Sequence, residues 1–150
     1  MLIRKAGAGF GISIFSMPAI IRYGPSTEVL VRQWKVVFDR GSVVFPALAG
    51  CTALNYFVVA QQHWSRGLEW RGFAAGGALQ LAIIPFTILF IVGVNAKLMA
   101  AIDPKKETGL SVDAAKTLLW RWNKLHAART GVALVGTVAA LWNLLAVRGG

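Results

Sequence analysis

The residues best suited to chemistry crowd into one stretch, Trp120-Arg121-Trp122-Asn123-Lys124-Leu125-His126-Ala127-Ala128-Arg129-Thr130. On a helix, Trp122 and His126 are one turn apart and Arg129 follows three residues later, so all three project from one face. An aromatic plane, a titratable imidazole and a permanent cation at one level suit a planar anionic ligand. Trp122 can stack on an aromatic ring, and Arg129 can pair with a phenolate or enolate oxygen. His126, with an ordinary pKa of about 6.5, can take and return a proton near neutral pH. The same residues also suit plain anchoring, because Trp120, Trp122, Arg121 and Arg129 are the types found where a helix meets a membrane surface.

Other polar residues stand inside apolar runs, where lipid makes polarity costly. They are Asn55 and Tyr56, then Gln80 and Thr87, and Asn95 at the end of that run. His63, beside Trp64, reads as a loop residue. A metal or haem held by His63 and His126 is an alternative, but the pair has no ligand-motif spacing and no carboxylate lies within a run. The chain lacks a glycine-rich phosphate loop, a dinucleotide fingerprint and a Ser/His/Asp set. Cys51 is the single cysteine, so no disulfide forms within one chain, and it reads as a small apolar packing residue.

The elements that must position these groups are membrane helices. Hydrophobic residues make up 56% of the 150-residue chain and charged residues only 15%, where a soluble domain carries about 25% charged residues. Four uncharged stretches stand out, at 6–21, 43–60, 73–94 and 131–147. Roughly 20 helical residues cross the hydrocarbon core. The third stretch qualifies alone, the second and fourth approach the limit, and the first is the shortest. Met1-Leu2-Ile3-Arg4-Lys5 before the first stretch could open a signal peptide, but no clear small-x-small cleavage site followed by polar sequence is present, and three more apolar runs follow, so a retained first helix is expected. The expected architecture is therefore an all-α membrane protein, a single four-transmembrane-helix bundle.

The connections refine that picture. Ser26 can cap a helix in which Leu30, Trp34, Val37 and Phe38 share one face, as an amphipathic helix on the membrane surface would. Residues 61–72 form a short connection with the interfacial aromatics Trp64 and Trp70, and 102–109 is a loop. Ser111 starts a long fourth helix that runs unbroken into the last apolar stretch. Gly7 and Gly11 permit close helix packing and leave a homo-oligomer open. The chain has sixteen Lys and Arg against six Asp and Glu, and these basic residues lie between apolar runs, as charges facing anionic headgroups do. Nucleic acid is not an expected partner. Arg4, Lys5, Arg66, Arg71 and Arg148 lie on one side of a four-span bundle and the other basic residues on the opposite side. The positive-inside rule then puts both termini outside.

Ile84-Pro85-Phe86-Thr87 with Asn95 and Leu98, followed by Leu119-Trp120-Arg121-Trp122-Asn123-Lys124-Leu125-His126-Ala127-Ala128-Arg129, resembles the anthrone oxygenase family. Phe45-Pro46-Ala47 with Ala53-Leu54-Asn55-Tyr56 resembles its second helix, and Ser16-Met17-Pro18-Ala19 the end of its first. The resemblance implies a small four-helix membrane protein of a polyketide pathway, placed in an endomembrane such as the endoplasmic reticulum if fungal. It implies an oxidoreductase that converts an anthrone to an anthraquinone with O₂ as co-substrate and no added cofactor. Its partners would be an aromatic polyketide and membrane lipid. Carried onto this chain, His126 is the expected base, with Arg129 and Asn95 stabilising enolate and peroxide oxygens. Trp122 would stack on the substrate, with Asn55, Tyr56, Thr87 and Trp120 completing the binding site. A non-enzymatic scaffold or carrier is the remaining alternative.

Overall fold

The computed structural model describes residues 11–106 and 109–148, all of them in helices or short connections. The first helix, α1, covers Ile12–Tyr23 as a π-helical turn, Ile12–Ser16, followed by an α-helix, Met17–Tyr23. The second, α2, is a 39-residue α-helix, Thr27–Ser65. The third, α3, runs over Arg71–Ala100 with a π-helical insert at Thr87–Ile91. The fourth, α4, covers Val112–Arg148.

Helices α2, α3 and α4 are each long and apolar enough to cross a membrane, whereas α1 is a shorter apolar helix. The expected start of the first stretch, with Gly7 of the glycine pair, Arg4 and Lys5, lies outside the described residues. The polar starts of α2 and α4 form as their sequences require. The Ser26 hydroxyl accepts from the Val29 N–H at 3.3 Å, and the Ser111 hydroxyl from the Ala114 N–H at 3.2 Å. Each cap satisfies a backbone donor that the first turn leaves unpaired.

The segment expected to lie on the membrane surface is not a separate element. It is the first third of α2, continuous with the second apolar stretch. Its apolar face turns onto the protein: Leu30, Val31 and Trp34 are fully buried with Met17, Leu98, Leu119 and Trp122. Its polar face carries the exposed ion pairs Arg32–Glu28 and Lys35–Asp39. Removing such a face from water contributes about 1.5–3 kcal/mol per Leu-sized side chain, and here α1, α3 and α4 supply the cover. At this end of the bundle all four helices share one core.

The other end is smaller. Tyr56 and Ala60 of α2, Phe73 of α3 and Ala140 of α4 pack together there. Glycines bring α3 and α4 into backbone contact just beside them. A Cβ on Gly76 would sit 2.8 Å from the Gly136 carbonyl oxygen, and one on Gly136 would sit 3.1 Å from the Gly76 carbonyl oxygen. Asn143 fastens the same end, accepting from the Gly72 N–H at 3.2 Å and donating to the Glu69 carbonyl at 2.7 Å. Cys51 is exposed on the outer face of α2 and does not pack inside.

Between the two packed ends the helices part. Pro46 in α2 and Pro85 in α3 lie at this level. Each lacks the N–H that would close a helical hydrogen bond, and the π-helical turn of α3 follows Pro85 directly. Extra residues in such turns commonly accompany functional sites.

Candidate active site

His126 projects from α4 into the parted middle of the bundle and is 3% exposed. Three contacts hold its ring. Trp122 stacks on it, with ring centroids 4.9 Å apart and planes inclined by 19°. Phe45 of α2 meets it edge-on at 6.1 Å. Trp34 of α2 in turn backs Trp122 edge-on at 6.0 Å. The buried Ser13 hydroxyl of α1 lies 3.0 Å from His126 Nδ1. Nδ1 is thereby engaged, and Nε2 makes no hydrogen bond among the described residues.

Ser13 is held independently of its hydroxyl, because Asn123 Nδ2 donates to the Ser13 carbonyl at 3.0 Å. Its place in the π-helical turn of α1 lets it face α4. The second π-helical turn contributes Thr87, whose hydroxyl donates to the Ile83 carbonyl at 2.8 Å. Arg129 Nη1 approaches the same hydroxyl oxygen at 3.4 Å. Among the described residues Arg129 has no carboxylate partner. A guanidinium in a partly buried, low-dielectric position without a counter-ion favours an anion beside it.

Two cavities meet at this pair. The larger, about 290 Å³, extends from Phe45 along α2, α3 and α4 to Thr137, with walls such as Leu48, Ile83 and Ile84. It sits at the lower edge of the range for small-molecule sites, roughly 300–1,000 Å³. The smaller, about 250 Å³, extends the other way past Phe38, Ser42, Asn95 and Trp122. Phe45, Pro46, Thr87, His126 and Arg129 line both.

The expected site residues divide accordingly. His126, Arg129, Thr87, Asn95 and Trp122 come together. Trp122, at 4% exposed, stacks on His126 and so is not an open platform for a ligand ring. Asn55 does not join them, because it is exposed and bonds back to the Cys51 carbonyl at 2.7 Å. Tyr56 is buried beside Gly76 in the opposite core. Trp120 is 43% exposed and lines neither cavity. The helical phase explains the split: Asn55 and Trp120 sit on faces of α2 and α4 turned away from the bundle axis.

His63 ends α2 and is not a loop residue; its Nδ1 lies 3.0 Å from the Glu69 carbonyl and its ring packs on Phe73. It is roughly 27 Å along α2 from Phe45, at about 1.5 Å per residue, so the two imidazoles do not meet. Among the described residues no three His, Cys, Asp or Glu side chains group as a metal site would. Sequence reasoning missed Ser13, and Phe45 as a wall of the site, and it marked Gln80 only as a polar residue in an apolar run; Gln80 donates to the Ala133 carbonyl at 3.1 Å and lines the larger cavity. The only signal for Ser13 was a hydroxyl inside an apolar run.

Fold and site together define an all-helical protein, among the described residues, with an imidazole and a guanidinium that has no carboxylate partner among those residues at the junction of two cavities. The sequence matches the anthrone oxygenase family over residues 34–139, and the chain belongs to that family. It is similar to anthrone oxygenase AgnL2 of Paecilomyces divaricatus, with 27% identity over 92% of this chain and 90% of that one. It is also similar to anthrone oxygenase ptaC of Pestalotiopsis fici, at 30% identity over 87% and 96% of the two chains. With monooxygenase hypC of Dothistroma septosporum it shares 31% identity over 91% of this chain and 74% of that one. No solved structure matches. The chain is thus an oxidoreductase of the monooxygenase kind.

Proposed function

We propose that this protein is a membrane-embedded oxygenase that converts an anthrone to an anthraquinone with O₂, using no added cofactor. The observation that carries this reading is Arg129, without a carboxylate partner among the described residues, beside His126 at the junction of the two cavities. The names of the relatives, anthrone oxygenase and noranthrone monooxygenase, point the same way.

The chemistry needs only a base, an anion site and a dry enclosure. With Nδ1 protonated and donating to Ser13, His126 Nε2 takes a proton from the central methylene of the ring system. Arg129 stabilises the enolate oxygen as its charge develops. The enolate gives one electron to O₂, and the resulting radical and superoxide join to form a C–O bond. The imidazolium returns its proton to the peroxide. Nε2 then removes the second hydrogen from the same carbon, the O–O bond breaks, and the departing hydroxide takes that proton to leave as water. One CH₂ and one O₂ become one C=O and one H₂O. The substrate supplies all the electrons, so the protein's part is positioning, charge stabilisation and exclusion of solvent.

The membrane setting rests on α2, α3 and α4, whose apolar lengths suit a bilayer. Exposed Ile84 and Ile88 border the larger cavity, a wall through which a lipid-dissolved aromatic could pass. The test is oxygen uptake by purified, chelator-treated protein given an anthrone. Uptake should match quinone formed, and His126→Ala and Arg129→Ala should each abolish it. No uptake with several anthrones, or wild-type turnover by both variants, would overturn the proposal.

A further inference from the structure

The two ends of the larger cavity differ in what they offer a ligand. Arg129 and His126 stand at one end, and Gln80, Thr130 and Thr137 line the wall beyond them. These three are each more than nine-tenths buried. The Thr130 hydroxyl donates to the His126 carbonyl at 2.9 Å, and the Thr137 hydroxyl to the Ala133 carbonyl at 3.0 Å. Gln80 Nε2 donates to the same Ala133 carbonyl at 3.1 Å. A carbonyl can only accept, so both hydroxyl hydrogens are spent there and the Gln80 amide is fixed with its nitrogen toward α4. Gln80 Oε1 can only accept, and it has no donor among the described residues. It is not one of the unpaired atoms that packing seals off, so the surface it keeps belongs to the cavity that Gln80 lines.

The geometry points to Gln80 as a specificity-determining residue, whose Oε1 accepts a hydrogen bond from a hydroxyl on the outer ring of the aromatic substrate. This rests on the oxygenase reading of the same site. Ala133, to which Gln80 is tied, is seven residues beyond His126 on α4. That is close to two full turns, so it lies on the same face about 10 Å along the helix. A central-ring carbon at His126 Nε2, one outer ring and its hydroxyl together cover such a span. The walls between, among them Leu48, Ile83 and Ile84, are apolar and suit the ring itself. The two ends are then complementary to one molecule: Arg129 donates to the oxygen that becomes negative, and Gln80 accepts from an oxygen that keeps its hydrogen. A hydroxyl next to the ring carbonyl donates to that carbonyl within the molecule. The hydroxyl that Gln80 reads is therefore one further round the outer ring, with its hydrogen free. Water has the same donor chemistry and serves Oε1 when the ring edge carries no hydroxyl.

The experiment measures equilibrium binding of 2-hydroxyanthraquinone, 2-methoxyanthraquinone and anthraquinone to purified protein in detergent, at a pH that keeps the phenol protonated. Wild type is compared with Gln80→Met. Methionine keeps the side chain's length and deletes the acceptor, while the Ala133 carbonyl keeps the Thr137 hydroxyl. Wild type should bind the hydroxyquinone about five- to tenfold more tightly than anthraquinone, as one buried hydrogen bond allows. The methyl ether has no hydrogen to donate and should bind no more tightly than anthraquinone. Gln80→Met should bring the ratio of hydroxyquinone to anthraquinone close to unity. The kcat/KM ratio of 3-hydroxyanthrone to anthrone should move in parallel. Binding needs no turnover, so quinone formation from neither anthrone, with the binding preference intact, would sink the oxygenase reading and leave the subsite standing. Equal wild-type affinity for hydroxyquinone and anthraquinone would assign Gln80 to water and overturn the proposal, as would no binding of the hydroxyquinone. A methyl ether bound as tightly as the hydroxyquinone, or a preference that Gln80→Met preserves, would overturn it too. If Gln80→Met does not fold, the three-ligand comparison on wild type decides alone.

Discussion

Replacing Ser13 by alanine removes one oxygen atom from a buried contact and little else. The hydroxyl lies 3.0 Å from His126 Nδ1, while α1 stays tied to α4 through the Ser13 carbonyl and Asn123. Trp122 still stacks on the imidazole. The change therefore tests one bond with the scaffold kept. On the proposed mechanism that bond is neutral before reaction and contributes about 0.5–1.5 kcal/mol; with the substrate proton on His126 it would be charge-assisted and contribute about 1.5–3 kcal/mol. Only the difference, about 1–1.5 kcal/mol, acts on the rate. At about 1.36 kcal/mol per tenfold, kcat should fall about 5- to 13-fold. KM should change little, because Ser13 lines neither cavity. Ser13→Thr should restore most of the rate. The assay is initial quinone formation from an anthrone in detergent or vesicles, with Ser13→Ala measured beside His126→Ala. Loss of a general base costs typically 10²- to 10⁴-fold. Full activity in Ser13→Ala would refute the argument that this hydroxyl holds His126 for catalysis. A loss as deep as that of His126→Ala would equally refute it, since Ser13 would then act directly.

Three further outcomes follow from the geometry. Arg129→Met keeps the side chain's length and removes the charge that faces the cavities; kcat should drop about 10²- to 10³-fold, as for loss of an oxyanion donor, and an unchanged kcat would remove Arg129 from the mechanism. Gly76→Ala sets a methyl 2.8 Å from the Gly136 carbonyl oxygen and forces α3 off α4, for a loss of about 1–3 kcal/mol, read as a lower thermal midpoint in detergent. An unshifted midpoint would show that the two backbones are not in contact. Asn143→Leu leaves the Gly72 N–H and the Glu69 carbonyl without their side-chain partner and should lower the same midpoint by a comparable amount, whereas an unchanged midpoint would mean that this end is held by packing alone.

Much of the architecture was legible because lipid and backbone impose simple rules. Apolar length marked α2, α3 and α4, and Ser26 and Ser111 announced two helix starts through their capping chemistry. One turn of spacing was enough to bring Trp122, His126 and Arg129 to one face. The amphipathic run at 27–38 was read correctly as helix and wrongly as surface. Periodicity reveals that Leu30 and Trp34 share a face, but not whether lipid or protein meets it.

Local pattern therefore determined the helices, the composition suited to a membrane and the face of α4 that Trp122, His126 and Arg129 share. Tertiary structure decided what stands opposite that face. Asn55 and Trp120 were plausible on residue type, but their helical phase turns them outward. Ser13 was unremarked in the sequence, yet a π-helical turn and a contact 113 residues away bring it to His126. Trp122 was read as a platform for the ligand; the fold instead lays it on the imidazole. The reason is physical. Spacing along one helix fixes which side chains point together, while partners across helices depend on how the whole bundle packs, and no single helix contains that information.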